Sequence, residues 1–465
     1  MRSVSWHSVM LCLLLLAGMG LGLAGCGQQV QAPRSTPPPT PNLQAVQAWI
    51  QQAAIPLTTT DPQAALDDLQ PLQQMVGNAT IVGLGEESHG SHEFFTMKQR
   101  LVEFLVEKMG FTLFAIEGSW TAGMLANQYV LTGQGDPQTV LQQFHEWIWN
   151  TQEVLSLLEW MRAYNTDPTH AQKVHLAGFD MQELAAPTFD DVVQYIQMVD
   201  PQQATQVASL YDGIRPDPSI SWSAWDGEYF QQSAATKQQY IKNAQTIGAL
   251  LQTNQSMYEG RSSPQAFALA LQDAEVIVQS TQLSALDPNT PKNLPVGNNL
   301  RDSGMADNIA WLHAHADGGE KMILWAHDGH IGASNSGGYI TMGQRLRQQF
   351  EAAYLPIGFS FYQGAFNAIS PDGMQVFTEQ NPPKGSYNET LGSVPLPLYL
   401  LDLRAAPAGP VSQWLAEARD FHELGVGYDP AHAQSDDVTV SLRQYFDLVI
   451  EIQTVTASHL IPLQY

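Results

Sequence analysis

Ile81–Phe95 reads IVGLGEESHGSHEFF. A short apolar run closes on a glycine, and Glu86, Glu87, His89, His92 and Glu93 then fall within eight residues. An apolar run of this length, bounded by glycine, has the pattern of a strand buried on both faces. Beyond it Phe94, Met97, Leu101, Phe104 or Leu105 and Met109 recur at helical spacing over Ser91–Met109, and Gly110 supplies the stop. Strand, ionisable loop and helix together predict the first half of a βαβ unit.

Outward from this unit the alternation continues. FTLFAIE (Phe111–Glu117), KVHLAGFD (Lys173–Asp180), EKMILWAHDGH (Glu320–His330) and AYLPIGFSF (Ala353–Phe361) are four more strand-like runs. Helical patterns cover Trp120–Leu131 and Glu153–Asn165, the latter with Asn150 or Thr151 as cap. The expected class is α/β, with a mainly parallel central sheet and flanking helices. No strand pattern interrupts the chain between Asp180 and Arg301. A helical insertion over residues 186–299, broken by a Pro/Trp-rich piece at Pro216–Tyr229, is expected to roof one end of the sheet.

The first 42 residues have a different character. The apolar stretch after Arg2 is too short and glycine-rich for a membrane span, and it ends in Leu23-Ala24-Gly25-Cys26, the pattern of a lipoprotein signal peptide cut before Cys26. Residues 27–42, rich in Gln, Pro and Thr, are expected to tether a domain spanning 43–465. The expected location is therefore extracytoplasmic, with the membrane reached through a lipid on Cys26. The two cysteines, Cys12 and Cys26, both lie in the export segment. The body therefore has no thiol for a nucleophile, a zinc site or a disulfide. A formal charge of −25 argues against nucleic acid as a partner.

In open α/β sheets, ligands bind beyond the carboxyl ends of the strands. Glu86 and His89 follow the first strand, Glu117 ends the second, Asp180 ends the third, and His327, Asp328 and His330 follow the fourth. Four strand ends with ionisable groups predict one rim. The chain lacks a G-x-S-x-G elbow, a zinc-protease H-E-x-x-H and a glycine-rich phosphate loop. Carboxylate and imidazole remain, the groups that activate water as general bases.

GEESHGSHEFFTMKQRLVEFLVEKMGFTLFAIEG, WIWNTQEVLSLLEWMRAYN, LAGFDMQ, RDSGMADNIAWL, WAHDGHIG and PIGFSFYQGAFNA resemble successive blocks of the erythromycin esterase family, over nearly all of Leu43–Pro462. The resemblance implies a helical insertion roofing a cleft, and hydrolysis of a macrolide lactone or similar small-molecule ester by histidine-activated water, with no covalent acyl-enzyme and no cofactor. It implies His89 as the base, supported by Glu86 and Glu117, and a later pair in His327 and His330. It also implies Glu93 one turn into the helix, and Lys98 in place of the family's arginine, with Arg100 nearby. Asp180 joins them at the substrate rim. Asp328 stands where the family has asparagine. Taken alone, Glu93 reads equally as a first-turn acid, Lys98 as solvated, and Glu87 and His92 as surface. The rival reading is a lipid-anchored protein that binds a ligand or a divalent metal without turnover, or an exopolysaccharide-related member of the family.

Overall fold

The computed structural model describes residues 43–287, 289–315, 321–335 and 338–462. The expected signal peptide, with Cys26, and the tether lie outside these residues. Among the described residues no helix is long and apolar enough to cross a membrane.

The strands are β1 (Ile55–Pro56), β2 (Ile81–Leu84), β3 (Phe111–Ser119), β4 (His175–Asp180), β5 (Lys321–Trp325), β6 (Tyr354–Ser370), β7 (Gly373–Glu379), β8 (Leu398–Asp402), β9 (Arg419–His422), β10 (Asp437–Val440) and β11 (Leu448–Val455). A sheet of nine runs in the order β1-β8-β11-β6-β2-β5-β3-β4, with β7 hairpinned onto β6, and β9 pairs with β10 separately. From β11 to β4 every pairing is parallel, while β8 runs antiparallel to β1 and β11. All five strands read from the sequence are present. β5 threads back between β2 and β3, so the carboxyl ends of β2, β5, β3 and β4 lie side by side.

Successive residues of a strand point to opposite faces, and the two apolar layers divide accordingly. Ile81, Leu113, Ala115, Met322 and Leu324 enter one layer, with Phe189, Ile277, Met305 and Leu346 from helices. Val82, Leu84, Phe114, Ile116, Ile323 and Trp325 enter the other, against Phe95, Leu101, Leu158 and Met161. The helix His92–Met109 lies in this second layer, ended by Gly110 in the left-handed conformation. It is covered so completely that Lys98, Gln99, Arg100 and Glu103 are buried along with its apolar stripe.

Helices alone fill the stretch after β4: Ala186–Val199, Pro201–Leu210, Trp222–Phe230, Ala234–Thr253, Gln255–Arg261, Pro264–Ser284 and Leu294–His315. The last runs unbroken through Asn299, so the expected boundary there falls inside a helix.

Candidate active site

The loop after β2 leaves the sheet where backbone and side chains crowd it. A Cβ on Gly85 would lie 1.7 Å from Asp328 Oδ1, and one on Gly90 would lie 2.0 Å from the Asn367 carbonyl oxygen. Glycine at both ends lets Glu86–His89 fold into the sheet's end, where they are buried. His89 Nδ1 lies 2.7 Å from Glu86 Oε1. The other oxygen of Glu86 accepts from Lys98 Nζ at 2.6 Å and from the Trp325 indole N–H at 2.8 Å. Burial resists the charge on Glu86, but Lys98 and the bond from His89 hold its carboxyl below the usual range. Burial also pulls Lys98 down to about 8, against the attraction of Glu86, which leaves it charged at neutral pH. An ionised Glu86 requires a donor from His89, so the neutral tautomer of His89 that fits this contact has its proton on Nδ1 and the lone pair on Nε2.

A second cluster forms around Arg301. Its Nη2 donates to Glu117 Oε1 at 2.7 Å and to Asp180 Oδ2 at 2.6 Å, and Nε donates to the same Asp180 oxygen at 2.9 Å. Glu117 Oε2 accepts the His327 backbone N–H at 2.8 Å, tying β3 to the loop after β5. His330 lies between acids, with Nδ1 3.1 Å from Asp302 and Nε2 3.3 Å from Glu117. Burial opposes its protonation, yet Asp302 and Glu117 overcome it and push His330 up to about 10. Arg301 Nη1, 3.1 Å from His330 Nε2, favours a lone pair there instead. With Asp180 engaging the guanidinium, the carboxylates outnumber the cation, and the imidazolium prevails. Glu117 is itself held well below the carboxylate range, burial being outweighed by His330 and Arg301.

His327 has both ring nitrogens engaged. Nε2 donates to the Leu424 carbonyl at 3.1 Å, and Nδ1 accepts from the Gly329 N–H at 3.2 Å. Burial and the neighbouring His89 push it down to about 3. Its ring centroid is 4.7 Å from that of His89, so it is a neutral wall against which His89 rests.

His89, Glu117, Arg301, Asp302, His327 and His330 line one hollow, open at its mouth. It shares Glu146 and Gln182 with a larger cleft, walled by Met181, Phe189, Trp222, Trp225, Tyr229 and Leu286. Most of that wall comes from the helices after β4. Glu183, on the same wall, holds a left-handed backbone (φ 53°) although it is not glycine. Burial and the Asp180 charge raise Glu146 to about 8, and burial beside Glu146 raises Glu183 well above the carboxylate range.

Of the residues singled out in the sequence, His89, Glu117, His327 and His330 line the hollow, and Glu86 and Asp180 stand directly behind them. Lys98 is neither solvated nor at the substrate, because it supports Glu86 from beneath. Arg100 is the clearest correction. Its guanidinium binds Asp68 and the carbonyls of Thr59 and Ala65, outside the hollow. Glu93 accepts from the Thr456 N–H and hydroxyl, also away from it. Glu87, expected at the surface, is fully buried and accepts from the Phe361 N–H and from Asn388. His92 is partly buried against Glu153. Arg301, Asp302 and Glu146 went unrecognised, although RDSGMADNIAWL contained the first two. The signal available was a lone Arg-Asp pair inside a helix otherwise poor in charge.

The chain and its fold have known relatives. The curated relatives include "Erythromycin esterase type II" of Escherichia coli, 23% identical over 74% of this chain and 85% of its own. They also include "Putative hydrolase YbfO" of Bacillus subtilis, 22% identical over 89% and 92%. A Bacillus cereus crystal structure superposes with TM-score 0.81 at 33% identity, covering 90% of this chain and all of the other. An open form of erythromycin esterase EreC shares the fold, with TM-score 0.67 at 18% identity over 88% and 99%. The sequence profile of the erythromycin esterase family matches residues 106–455, and the chain belongs to that family.

Proposed function

We propose that this protein hydrolyses a carboxylic ester in a bulky, largely apolar small molecule, a macrolide lactone or similar, and that it does so outside the cytoplasm, anchored by a lipid on Cys26. The observation that carries the reading is the Glu86–His89 pair, with Glu86 at Nδ1 and Nε2 free to act as the base, beside Arg301 and His330 and an apolar cleft. His89 Nε2 takes a proton from water as the oxygen attacks the ester carbon. Glu86 stabilises the imidazolium that results, and Lys98 keeps Glu86 ionised. Arg301 faces the developing oxyanion in place of Lys98 or Arg100, and preorganised charge in a desolvated site is the larger part of such catalysis. His330, charged at neutral pH, protonates the departing alkoxide. Glu117, Asp180 and Asp302 fix the two cations, and His327 positions His89. The names of the curated erythromycin esterases support a macrolide as the first substrate to test.

Mass spectrometry of macrolides and simple esters incubated with the protein in H₂¹⁸O tests this. One solvent oxygen should enter the product acid in a single turnover, with no acyl group trapped on the chain. General-base assistance contributes about 10²–10⁴-fold, so His89→Ala should lose roughly that factor in kcat while remaining folded. An acylated serine, or full activity in that variant, refutes the mechanism. For the anchor, Cys26→Ala should release the protein from membranes or stall its processing, and unchanged membrane attachment refutes that part.

A further inference from the structure

Away from the hollow, His92, Glu153 and His459 come from three separate segments: the start of one helix, the start of another, and the tail after β11. Glu153 is buried, His92 is partly covered, and the His459 side chain is 65% exposed. His92 Nδ1 lies 2.5 Å from Glu153 Oε1, and His459 Nδ1 lies 2.7 Å from the same oxygen. The His459 backbone N–H also reaches that oxygen at 3.1 Å. One carboxylate oxygen thus faces three nitrogens with two lone pairs to offer, while each imidazole turns the same ring atom inward. The three ligand atoms lie within 4.8 Å of one another.

Two imidazole nitrogens and a carboxylate are the donor set of a His₂Glu metal centre, whose bonds are about 2.0–2.2 Å for zinc. We infer that His92, Glu153 and His459 hold a divalent transition-metal ion of the zinc, cobalt or nickel kind, with water completing its shell at the exposed His459 side. The nitrogen ligands favour such ions over magnesium or calcium. To admit the ion, the rings of both His92 and His459 draw back from Glu153 Oε1, which they approach at 2.5 and 2.7 Å, closer than two tetrahedral ligands of one ion stand to each other.

Its place in the fold gives the ion a task. The tail is laced to the His89 loop and to the neighbouring helix starts by the bonds Ser458 N–H to Gly90 O (2.8 Å), His92 N–H to Thr456 O (2.8 Å) and Gln152 N–H to His459 O (2.9 Å). A metal bridging the same three segments fastens the tail across the loop that carries His89. It is a latch and takes no part in the reaction.

The test uses the full chain, purified without a polyhistidine tag and stripped with chelator. Titration with Co²⁺ should give visible absorption bands saturating at one equivalent, displaced by Zn²⁺, together with a rise in Tm. Losing even a supporting residue costs metal sites about 10–100-fold, so His459→Ala and His92→Ala should each weaken Co²⁺ binding at least roughly tenfold, whereas His432→Ala, a distant exposed histidine, should not. Absence of a saturable signal below millimolar Co²⁺ overturns the inference. So does a signal that survives His459→Ala and disappears in His89→Ala.

Discussion

At the scale of single residues, Asp328 shows how burial rewrites a charge. It lies over Gly85 with both carboxylate oxygens 3.3 Å from the Phe359 N–H. Burial and the repulsion of Glu423 raise its carboxyl well above the usual range, which favours the uncharged acid, a group with the shape of an asparagine. A carboxyl whose folded pKa is raised costs no stability below its unfolded value. Above that, each pH unit removes about 1.4 kcal/mol until the folded pKa is reached. Asp328→Asn should therefore match the parent in Tm near the ordinary carboxylate value and exceed it as pH rises above that. A stability difference independent of pH would show that Asp328 is not protonated in the folded state. The same scale explains what the sequence hid. Lys98 and Arg100 are about 200° apart around a helix and cannot face one site; a buried helix, with no solvent face to betray it, left that unseen. His89 and Glu86 were legible because glycines and a strand end fix their place locally. Arg301 was not, since nothing within its own helix reports that β3 and β4 deliver Glu117 and Asp180 to it.

Between strands and helices the molecule divides its labour. The parallel strands and the loops after them hold most of the polar groups, and the helices after β4 supply the apolar wall together with Arg301 and Asp302. Continuous apolar runs made the central strands readable, and the helix Gln152–Thr166 starts at Thr151, one of the two expected caps, whose hydroxyl accepts from the Val154 N–H. β11 was obscured by Glu451 and Gln453 within it, and β8 by the prolines just before it, although both strands are paired on each side within the sheet. In the cleft, Trp225 stacks between Trp222 and Tyr229, with centroids at 5.1 and 5.3 Å. Its removal takes contact area from a bulky substrate and none from the reacting groups. Trp225→Ala should raise KM for a macrocyclic ester about tenfold, a burial loss near 1.4 kcal/mol, while leaving kcat/KM for a short-chain ester nearly unchanged. Equal losses on both substrates would show that the wall supports the polar hollow instead.

For the whole molecule, the buried titratable groups set a direction for stability with pH. Glu86 and Glu117 are lowered, and Glu153 is brought down to about 2, with burial outweighed by the hydrogen bond from His92. Their contribution is present above the ordinary carboxylate pKa and is lost as pH falls through the folded values. His330, at about 10, and His422, pushed to about 9 by Asp437 and Glu379 against burial, contribute fully below the ordinary histidine value and lose that contribution as pH rises through those numbers. Burial raises Glu423 to about 7 and Glu451 to about 8, so both weaken the fold as pH climbs from the ordinary carboxylate range to those values. The formal charge of −25 adds self-repulsion in the same direction. On the acid side, His327, held neutral by burial with its pKa at about 3, costs stability as pH falls below the ordinary histidine value, and the lowered carboxylates are lost only at low pH. On the alkaline side the raised carboxylates begin to cost above the ordinary carboxylate range, and His330 and His422 add their losses from near neutrality. Calorimetric Tm should therefore peak at about pH 5–6 and fall steadily toward pH 10. Added salt should recover only the part due to surface repulsion, because buried pairs are poorly screened. His422→Gln should flatten the decline between pH 7 and 9. A Tm that stays level or rises from pH 6 to pH 9 would contradict the charge states assigned to His330, His422, Glu423 and Glu451 together.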